Sequence, residues 1–233
     1  MKVELVSKTV GLNSYSELDN EQLVAAIARH GTIKDDNGKL IKYLMDNAHW
    51  SPLQFIQFNF KIQTSRRISA QIFRHQNNHQ EWSQRYSKSN EIEPMEMRME
   101  HKTNRQSSTE TCGVISKVSN TYNVASTGSA ASEKTKEVLV KTAMALEELD
   151  ACYEELLDVG IAKECAANIL PMASTTHIHL GGNLRSLLCF LNVRCDHHAQ
   201  KEIQDIATAM GELMAEQLPN LMATLDWRNG MFM

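Results

Sequence analysis

"QIFRHQNNHQEWSQRYS", residues 71–87, is the stretch of this chain that says most about its fold. It is densely polar, yet Ile72 and Phe73 continue an apolar spacing that starts at Ile68 and is typical of a helix. The segment is therefore predicted to leave the end of a helix and to pass through a loop. A ligand site is one interpretation, and a solvated surface loop is the other, since surface loops are polar by default.

The side chains of this stretch suit a ligand that carries a phosphate, a sugar and a base. Arg74 and Arg85 offer planar, permanently charged forks that match phosphate oxygens or the carbonyl edge of a base. Ser83 can add a neutral donor, and Glu81 can accept a hydrogen bond from a sugar hydroxyl or a base N–H. These side chains are therefore compatible with a small phosphorylated ligand, and the solvated loop stays the alternative.

Length, composition and charge restrict the function classes. The chain has 233 residues, of which 42% are hydrophobic and 22% charged, an ordinary globular composition that can bury a core. Its formal net charge is −4, whereas general nucleic-acid coats carry a broad excess of Lys and Arg. A nucleic-acid-binding protein that uses the arginine-rich loop is thus a disfavoured alternative, and no nucleic-acid partner is predicted.

The cysteines and the apolar segments indicate where in the cell the protein is expected. No apolar run approaches the roughly 20 residues needed to cross a bilayer, and residues 1–12 form a charged, β-like segment that does not resemble a signal peptide. The five cysteines are odd in number and form no C-x-x-C motif. Free thiols, a cytoplasmic location and no membrane partner are the expectation.

Periodicity predicts one α+β domain, residues 1–233, with a mainly helical C-terminal half. Strands are predicted at 1–10 and 55–63, and a strand with a turn at 174–183. Helices are predicted at 18–30, from Gly38, and at 66–74, 132–158, 161–170, 183–194 and 198–218. Residues 107–131 are rich in Ser, Thr, Asn and Gly. They are predicted to be mostly a loop excursion, with one poorly marked helix as the alternative.

A second polar cluster interrupts a leucine-rich helix and its exit, residues 181–200. Its members are Asn183, Arg185, Asn192, Arg194 and His198. Burying an arginine without a partner is costly, so these side chains must meet either internal partners or a ligand. Satisfied internal hydrogen bonds remain the alternative interpretation.

The sequence gives little support for a metal site and contains no common nucleotide-binding motif. His75 and His79 are four residues apart, but Asn77 and Asn78 between them disfavour a continuous helix. The pairs His177/His179 and His197/His198 lack an H-E-x-x-H motif, and the chain has no Gly-rich phosphate loop and no G-x-S-x-G motif. No metal is predicted, with a zinc site as a minor alternative.

Four segments of the chain resemble one enzyme family. "RHQNNHQEWSQRYS" resembles the signature of the flavin-dependent thymidylate synthases, in which Arg-His-Arg leads to Glu-x-Ser-x-Arg-Tyr-Ser. "HWSPLQFIQFNFKI", "TNRQSS" and "NILPMA…GGNLRSLLCFLNVRCDHHAQKEI" are similar to three further elements of that family. The matches occur in the family's order and extend over residues 49–203.

The resemblance implies a fold and a reaction. The implied fold is the family's α+β fold, with an antiparallel-rich sheet, assembled as a homotetramer with FAD and the active sites at subunit interfaces. The implied reaction is methylation of dUMP to dTMP, with methylenetetrahydrofolate and NADPH as co-substrates. A related C5 hydroxymethylation of a pyrimidine deoxynucleotide and a catalytically weak flavin- or nucleotide-binding homologue are the alternatives.

The resemblance also assigns roles to individual side chains. It implies contacts to the flavin cofactor from His49, Ser51, His75, Asn183, Arg185 and His198. It implies contacts to dUMP from Gln71, Arg74, Glu81, Ser83, Arg85 and Arg194, of which Arg194, Ser83 and Arg74 are the catalytic candidates. A hydrogen bond from Arg194 to a uracil carbonyl would withdraw electron density and favour hydride delivery to the ring.

Several positions depart from the family pattern, so the resemblance is to a diverged member. Gln76 replaces the second arginine of the signature, and the spacer from it to Ser83 is one residue short. The other departures, with the usual family residue, are Gly31 for serine, Gln54 for glutamate, Ala167 for arginine and Cys189 for asparagine. These changes leave open how tightly flavin and nucleotide bind.

Overall fold

The computed structural model describes residues 1–34, 38–86, 88, 91–104, 108–125 and 131–232. The chain divides into two compact units. Unit 1 contains residue 1, residues 63–70 and residues 81–177; unit 2 contains residues 2–62, 71–80 and 178–233. The single domain expected from the sequence stays a prediction.

The chain contains both strands and helices. The strands are β1 (Lys2–Lys8), β2 (Gln57–Ser65), β3 (Asn78–Glu81), β4 (Met95–Glu100), β5 (Ser108–Val118), β6 (Thr121–Ala125) and β7 (Thr175–Asn183). The helices are α1 (Asn20–Ala28), α2 (Gly38–Asp46), α3 (Arg66–Ile72), α4 (Glu133–Asp158), α5 (Lys163–Ala166), α6 (Leu184–Arg194), α7 (Lys201–Gln217) and α8 (Pro219–Thr224). Short 3₁₀ turns lie at Asn13–Tyr15, Ser51–Phe55, Ala167–Ile169 and Trp227–Asn229.

The strands form a four-stranded sheet, in the order β1-β2-β7-β3, and a three-stranded sheet, in the order β4-β5-β6. In β2 the side chains of Phe58, Phe60 and Ile62 are fully buried, while Gln57 and Lys61 are exposed. This alternation is the pattern of a strand with one face on the core. The half-buried strand predicted from the Phe-rich segment is confirmed.

The core of unit 2 is built around α6. Its leucines at 184, 187, 188 and 191 and Phe190 are buried. Asn183 caps the helix, because its Oδ1 accepts a hydrogen bond from the backbone N–H of Ser186 at 2.9 Å. Close packing of the neighbouring α7 depends on a glycine: a Cβ on Gly211 would lie 2.1 Å from the ring of Trp227. The buried helix fixes the position of the polar residues at its two ends.

The segment predicted to be a loop, residues 107–131, is a β-hairpin over most of its length. β5 pairs with both β4 and β6 in antiparallel register, and Val118 lies opposite Thr121. The connecting residues Ser119 and Asn120 have φ of 49° and 66°, which is the backbone of a type I′ hairpin turn. The loop prediction is wrong for 108–125; residue 107 and residues 126–130 lie outside the described residues.

This hairpin packs on α4 within unit 1. Ile115 and Tyr122 share a hydrophobic cluster with Leu139, Ala143 and Leu146. The Tyr122 hydroxyl donates to Asp150 at 3.0 Å, and burial raises the pKa of that hydroxyl above its ordinary value. The predicted helix 132–158 is confirmed, with Ser132 as its N-terminal cap.

Other differences from the expected elements are small. The helix predicted at 161–170 is only α5 followed by the 3₁₀ turn Ala167–Ile169, and 175–183 is one continuous strand. Gly31 follows α1 with φ +91°, a conformation that favours glycine over the serine usual in the family. Within the described ranges, no helix is both long and apolar enough to span a bilayer.

We expect the substitution Ser119→Gly to stabilise the protein by about 0.5–1 kcal/mol. A left-handed residue other than glycine costs roughly 1–2 kcal/mol, and the lower backbone freedom of serine in the unfolded chain offsets part of this. Chemical denaturation monitored by circular dichroism measures the change. The matched control is Ser116→Gly, within β5, which should destabilise the protein by about 0.5–1 kcal/mol. A destabilised Ser119→Gly protein would contradict the hairpin turn.

Candidate functional site

An arginine, a histidine and two glutamines from three elements meet in unit 2. Arg194 ends α6, and its Nε donates to Nε2 of His75 at 2.8 Å. A terminal nitrogen of Arg194 also donates to the carbonyl of Gln71 at 3.3 Å. The side chain of Gln71 donates to Oε1 of Gln200 at 2.8 Å. The charge of Arg74 also acts on Arg194. We call Gln71, Arg74, His75 and Arg194 the arginine cluster.

His75 is neutral in this arrangement. Burial, and then the positive charge of Arg194, lower the pKa of His75 from its ordinary 6.5 to about 4. Because Arg194 donates to Nε2, that nitrogen is an acceptor and the ring proton lies on Nδ1. The ring also packs edge-on against Phe190, with 4.9 Å between ring centroids. The imidazole therefore serves as a fixed hydrogen-bond acceptor for the guanidinium.

The two arginines of the cluster carry like charges, and the charge of Arg74 acts on Arg194. Burial, followed by the charge of Arg74, lowers the pKa of Arg194. Arg74 is exposed, and neither arginine forms a salt bridge with a carboxylate among the described residues. Two nearby cations that lack an acidic partner attract an anion, and their forks suit a phosphate or an electron-rich carbonyl.

A second group of predicted residues lies at the start of α6, also in unit 2. The backbone N–H of Leu184 donates to the carbonyl of Ile56 at 2.9 Å, so the turn Ser51–Phe55 lies beside Asn183. Arg185 is exposed on the first turn of α6 and has no ion-pair partner among the described residues. A free cation at a helix N-terminus suits a negatively charged group.

His49 and His198, also predicted to contact the cofactor, are exposed. The ring of His49 lies edge-on to Tyr43, with 5.8 Å between centroids. Nδ1 of His198 lies 2.7 Å from Asp196 Oδ1, which also accepts the backbone N–H of His198; these contacts lower the pKa of the Asp196 carboxyl. Asp196 therefore orients the His198 ring and leaves its Nε2 available.

The histidine pairs considered for zinc have other contacts. His79 stacks on Phe73, with 4.2 Å between ring centroids, while His75 accepts from Arg194. In the described ranges, Asp196, His197 and His198 do bring three possible ligand atoms within 4.8 Å of one another. The carboxylate of this group is already hydrogen-bonded to His198.

The remaining predicted substrate residues belong to unit 1, in the segment Glu81–Tyr86. The Glu81 carboxylate accepts from Arg66 at 3.3 Å and from the Thr176 hydroxyl at 2.9 Å. Ser83 is half-buried, and its Oγ accepts the backbone N–H of Arg85 at 3.3 Å. These bonds fix both the acid and the short turn after it.

Arg85 is paired in this state. Its Nε lies 2.8 Å from a carboxylate oxygen of Glu164, and both side chains are exposed. An exposed ion pair of this kind contributes roughly 0–1 kcal/mol, so a ligand phosphate can replace the carboxylate at low cost. The predicted role of Arg85 at a phosphate therefore requires only an exchange of partners.

Several residues that contact the predicted site residues were not predicted from the sequence. Both amide atoms of Asn77 are buried without a hydrogen-bond partner in the structure. Asn77 lies against Gly182, where a Cβ would come within 2.3 Å of its Oδ1. The Gly181–Gly182 pair before the helix cap was the available signal, since adjacent glycines in a strand often mark a close approach. No sequence motif pointed to Arg66, Thr176 or Gln200. Their hydrogen-bond partners, Glu81 for the first two and Gln71 for Gln200, are distant in sequence.

A family model and curated relatives match nearly the whole chain. The family described as "Thymidylate synthase complementing protein" matches residues 6–220. The chain is 34% identical over 215 residues to the flavin-dependent thymidylate synthase of Synechocystis sp., covering 90% of this chain and 91% of that protein. It is 33% identical over 214 residues to a probable flavin-dependent thymidylate synthase of Paramecium bursaria Chlorella virus 1, covering 89% and 91%.

Solved structures share the fold. The crystal structure of a UMP/dUMP methylase PolB from Streptomyces cacaoi, bound with 5-Br dUMP, superposes with a TM-score of 0.75. The identity is 22%, and the match covers 100% of this chain and 97% of that one. The same methylase bound with 5-Br UMP gives a TM-score of 0.73 at 22% identity, covering 100% and 96%. The α+β fold class predicted from the sequence is confirmed. From the extent of the family match and the identity to curated relatives, the chain belongs to the flavin-dependent thymidylate synthase family of enzymes.

Proposed function

We propose that this protein catalyses the FAD-dependent reductive methylation of dUMP to dTMP, with methylenetetrahydrofolate as one-carbon donor and NADPH as reductant. The observation that carries the proposal is the arginine cluster, in which Arg74 and Arg194 have no carboxylate partner among the described residues. Family membership supplies the flavin dependence. The methylase structures with bound 5-bromo nucleotides support a pyrimidine nucleotide as substrate.

We propose nucleotide contacts for the arginine cluster in unit 2 and for the segment Glu81–Tyr86 in unit 1. Arg74 is exposed, and its guanidinium would contact the phosphate. Arg194 is held by His75 and Gln71 and keeps further N–H groups for a ligand. A guanidinium fixed in this way can polarise a uracil carbonyl, where negative charge develops during reaction at the ring. Glu81 and Ser83 would bind the remaining polar atoms of the substrate.

The residues at the start of α6 fit a flavin dinucleotide. Arg185 is exposed and lacks an ion-pair partner among the described residues, which is favourable for a diphosphate. His49, Ser51, Asn183 and His198 would complete the cofactor contacts, with His75 beside them. When bound, the flavin supplies the redox chemistry, so the protein must bind, orient and polarise the reactants.

The thiol next to the arginine cluster is not used as a nucleophile in this proposal. Burial raises the pKa of Cys195 to about 11, so this thiol is protonated near neutral pH. The reaction that we propose needs no covalent attachment of the substrate to cysteine. Cys195 instead fills the core at the end of α6.

Assembly and location complete the proposal. A homotetramer with active sites between subunits would let another subunit supply the phosphate contact that the family's usual arginine at position 167 makes. We place the protein in the cytoplasm, where its five free thiols would stay reduced. The altered positions Gln76 and Ala167 motivate one second candidate, hydroxymethylation of the same carbon.

We expect purified protein, reconstituted with FAD, to convert dUMP to dTMP when methylenetetrahydrofolate and NADPH are both supplied. Mass spectrometry of the nucleotide product measures the outcome. Omission of either co-substrate is the control and should abolish the product. Hydroxymethyl-dUMP without dTMP would select the second candidate. Nucleotide binding without turnover would identify a weak binding homologue and contradict the proposed function.

We expect Arg74→Met to weaken dUMP binding roughly 10- to 100-fold, the size of a lost hydrogen bond to a charged group. Binding of deoxyuridine, which lacks the phosphate, should change by no more than about twofold, because Arg74 would hold only the phosphate. Isothermal titration calorimetry measures both. The matched control is Arg67→Met, an exposed arginine on α3, which should leave both affinities unchanged. An equal loss for the two ligands would contradict a phosphate role.

A further inference from the structure

The carboxylate of Glu81 is held by two residues to which neither the family signature nor the comparisons assign a role. We propose that Arg66 and Thr176 are positioning residues that fix Glu81, and the turn after it, for recognition of the pyrimidine nucleotide. This inference deepens the proposed function and rests on it. All of the contacts that carry it lie within unit 1.

The guanidinium of Arg66 links the side chain of Glu81 to the backbone that follows it. One terminal nitrogen donates to Oε2 of Glu81 at 3.3 Å, and the other donates to the carbonyl of Trp82 at 3.2 Å. The backbone of Arg66 is itself anchored, since its N–H donates to the carbonyl of Ser174 at 3.0 Å. Because the guanidinium is planar and rigid, these two bonds fix the carboxylate relative to the turn.

Thr176 holds the other carboxylate oxygen from β7. Its side chain is fully buried, and its hydroxyl donates to Oε1 of Glu81 at 2.9 Å. The same strand holds the next residue, because the N–H of Trp82 donates to the carbonyl of His177 at 2.8 Å. The acid and the start of the turn are therefore attached to β7 by a side-chain bond and a backbone bond.

This arrangement leaves acceptor capacity for a ligand. An ionised carboxylate has about four lone-pair sites, and the two protein donors occupy one on each oxygen. The remaining sites can accept from a base N–H or a sugar hydroxyl. Arg66 and Thr176 thus set the orientation of Glu81.

A purely structural role of Arg66 is the competing explanation. The two explanations predict different losses of dUMP affinity when Arg66 is replaced with and without Glu81 present. If Arg66 acts through Glu81, its loss should matter only while Glu81 is present. If Arg66 only supports the fold, its loss should lower affinity equally with and without Glu81. A double-mutant cycle measures this coupling directly.

The experiment is calorimetric titration of dUMP into FAD-reconstituted wild type, Arg66→Met, Glu81→Ala and the double variant. We expect Arg66→Met to weaken binding roughly 10- to 100-fold in the wild-type background, and by less than about threefold when Glu81 is already alanine. Arg66→Lys should recover part of the affinity, and Thr176→Val should weaken binding by roughly three- to tenfold. Arg67→Met and Thr175→Val are the matched neighbours and should bind dUMP as the wild type does.

Thermal unfolding followed by circular dichroism establishes that each variant is folded before it is titrated. Equal losses for Arg66→Met in both backgrounds, or no loss in either, would overturn the positioning role while leaving the proposed function intact. Wild-type protein that binds no dUMP would overturn both. If Arg66→Met fails to fold, Arg66→Lys and Thr176→Val are each combined with Glu81→Ala in the same double-mutant cycle. Equal losses of affinity with and without Glu81 would again overturn the positioning role.

Discussion

The hydrogen bond from Arg194 to His75 is the interaction on which the proposed site depends. A partly buried guanidinium requires an acceptor, and here the acceptor is a neutral ring rather than a carboxylate. The positive charge of Arg194 is therefore held in place without being cancelled, and it remains available to a ligand. A carboxylate in the place of His75 would neutralise the group that must attract and polarise the substrate.

This arrangement links stability to pH with a definite sign. Folding lowers the pKa of His75 from 6.5 to about 4, so between these values the unfolded chain binds a proton more readily than the folded protein does. The contribution of the neutral ring is fully present above about pH 6.5 and is lost as the pH falls towards about 4. Acid therefore acts against the fold and against the acceptor of Arg194 at the same time.

Much of the fold follows from local patterns, whereas the hairpin does not. The Phe-rich alternation of β2 and the long apolar stripe of α4 are strong periodic signals, and both elements were predicted correctly. The β5–β6 hairpin was missed because its Ser, Thr and Asn content suggested a loop. Threonine has a high strand propensity, and a two-residue Ser-Asn turn separated the alternating segments.

The site residues show the same division between local and distant information. Signature matching assigned Arg74 and Arg194 to the nucleotide and His75 to the flavin, and the structure brings His75 and Arg194 to 2.8 Å. It did not indicate Arg66 or Thr176, because their contacts to Glu81 join residues 15 and 95 positions apart. Such partners depend on how α3 and β7 are placed in the fold, which no short motif encodes.

The most direct test of this account is the protonation state of His75, measured by ¹⁵N NMR of the imidazole ring across an acid titration. The account predicts a proton on Nδ1, an unprotonated Nε2, and no charging of the ring until the pH approaches about 4. Replacement of Arg194 by glutamine should raise the pKa of His75 only part of the way towards 6.5, because burial is the larger cause. A ring that charges near its ordinary pKa in the wild type, or that carries its proton on Nε2, would contradict the arrangement on which the site is built.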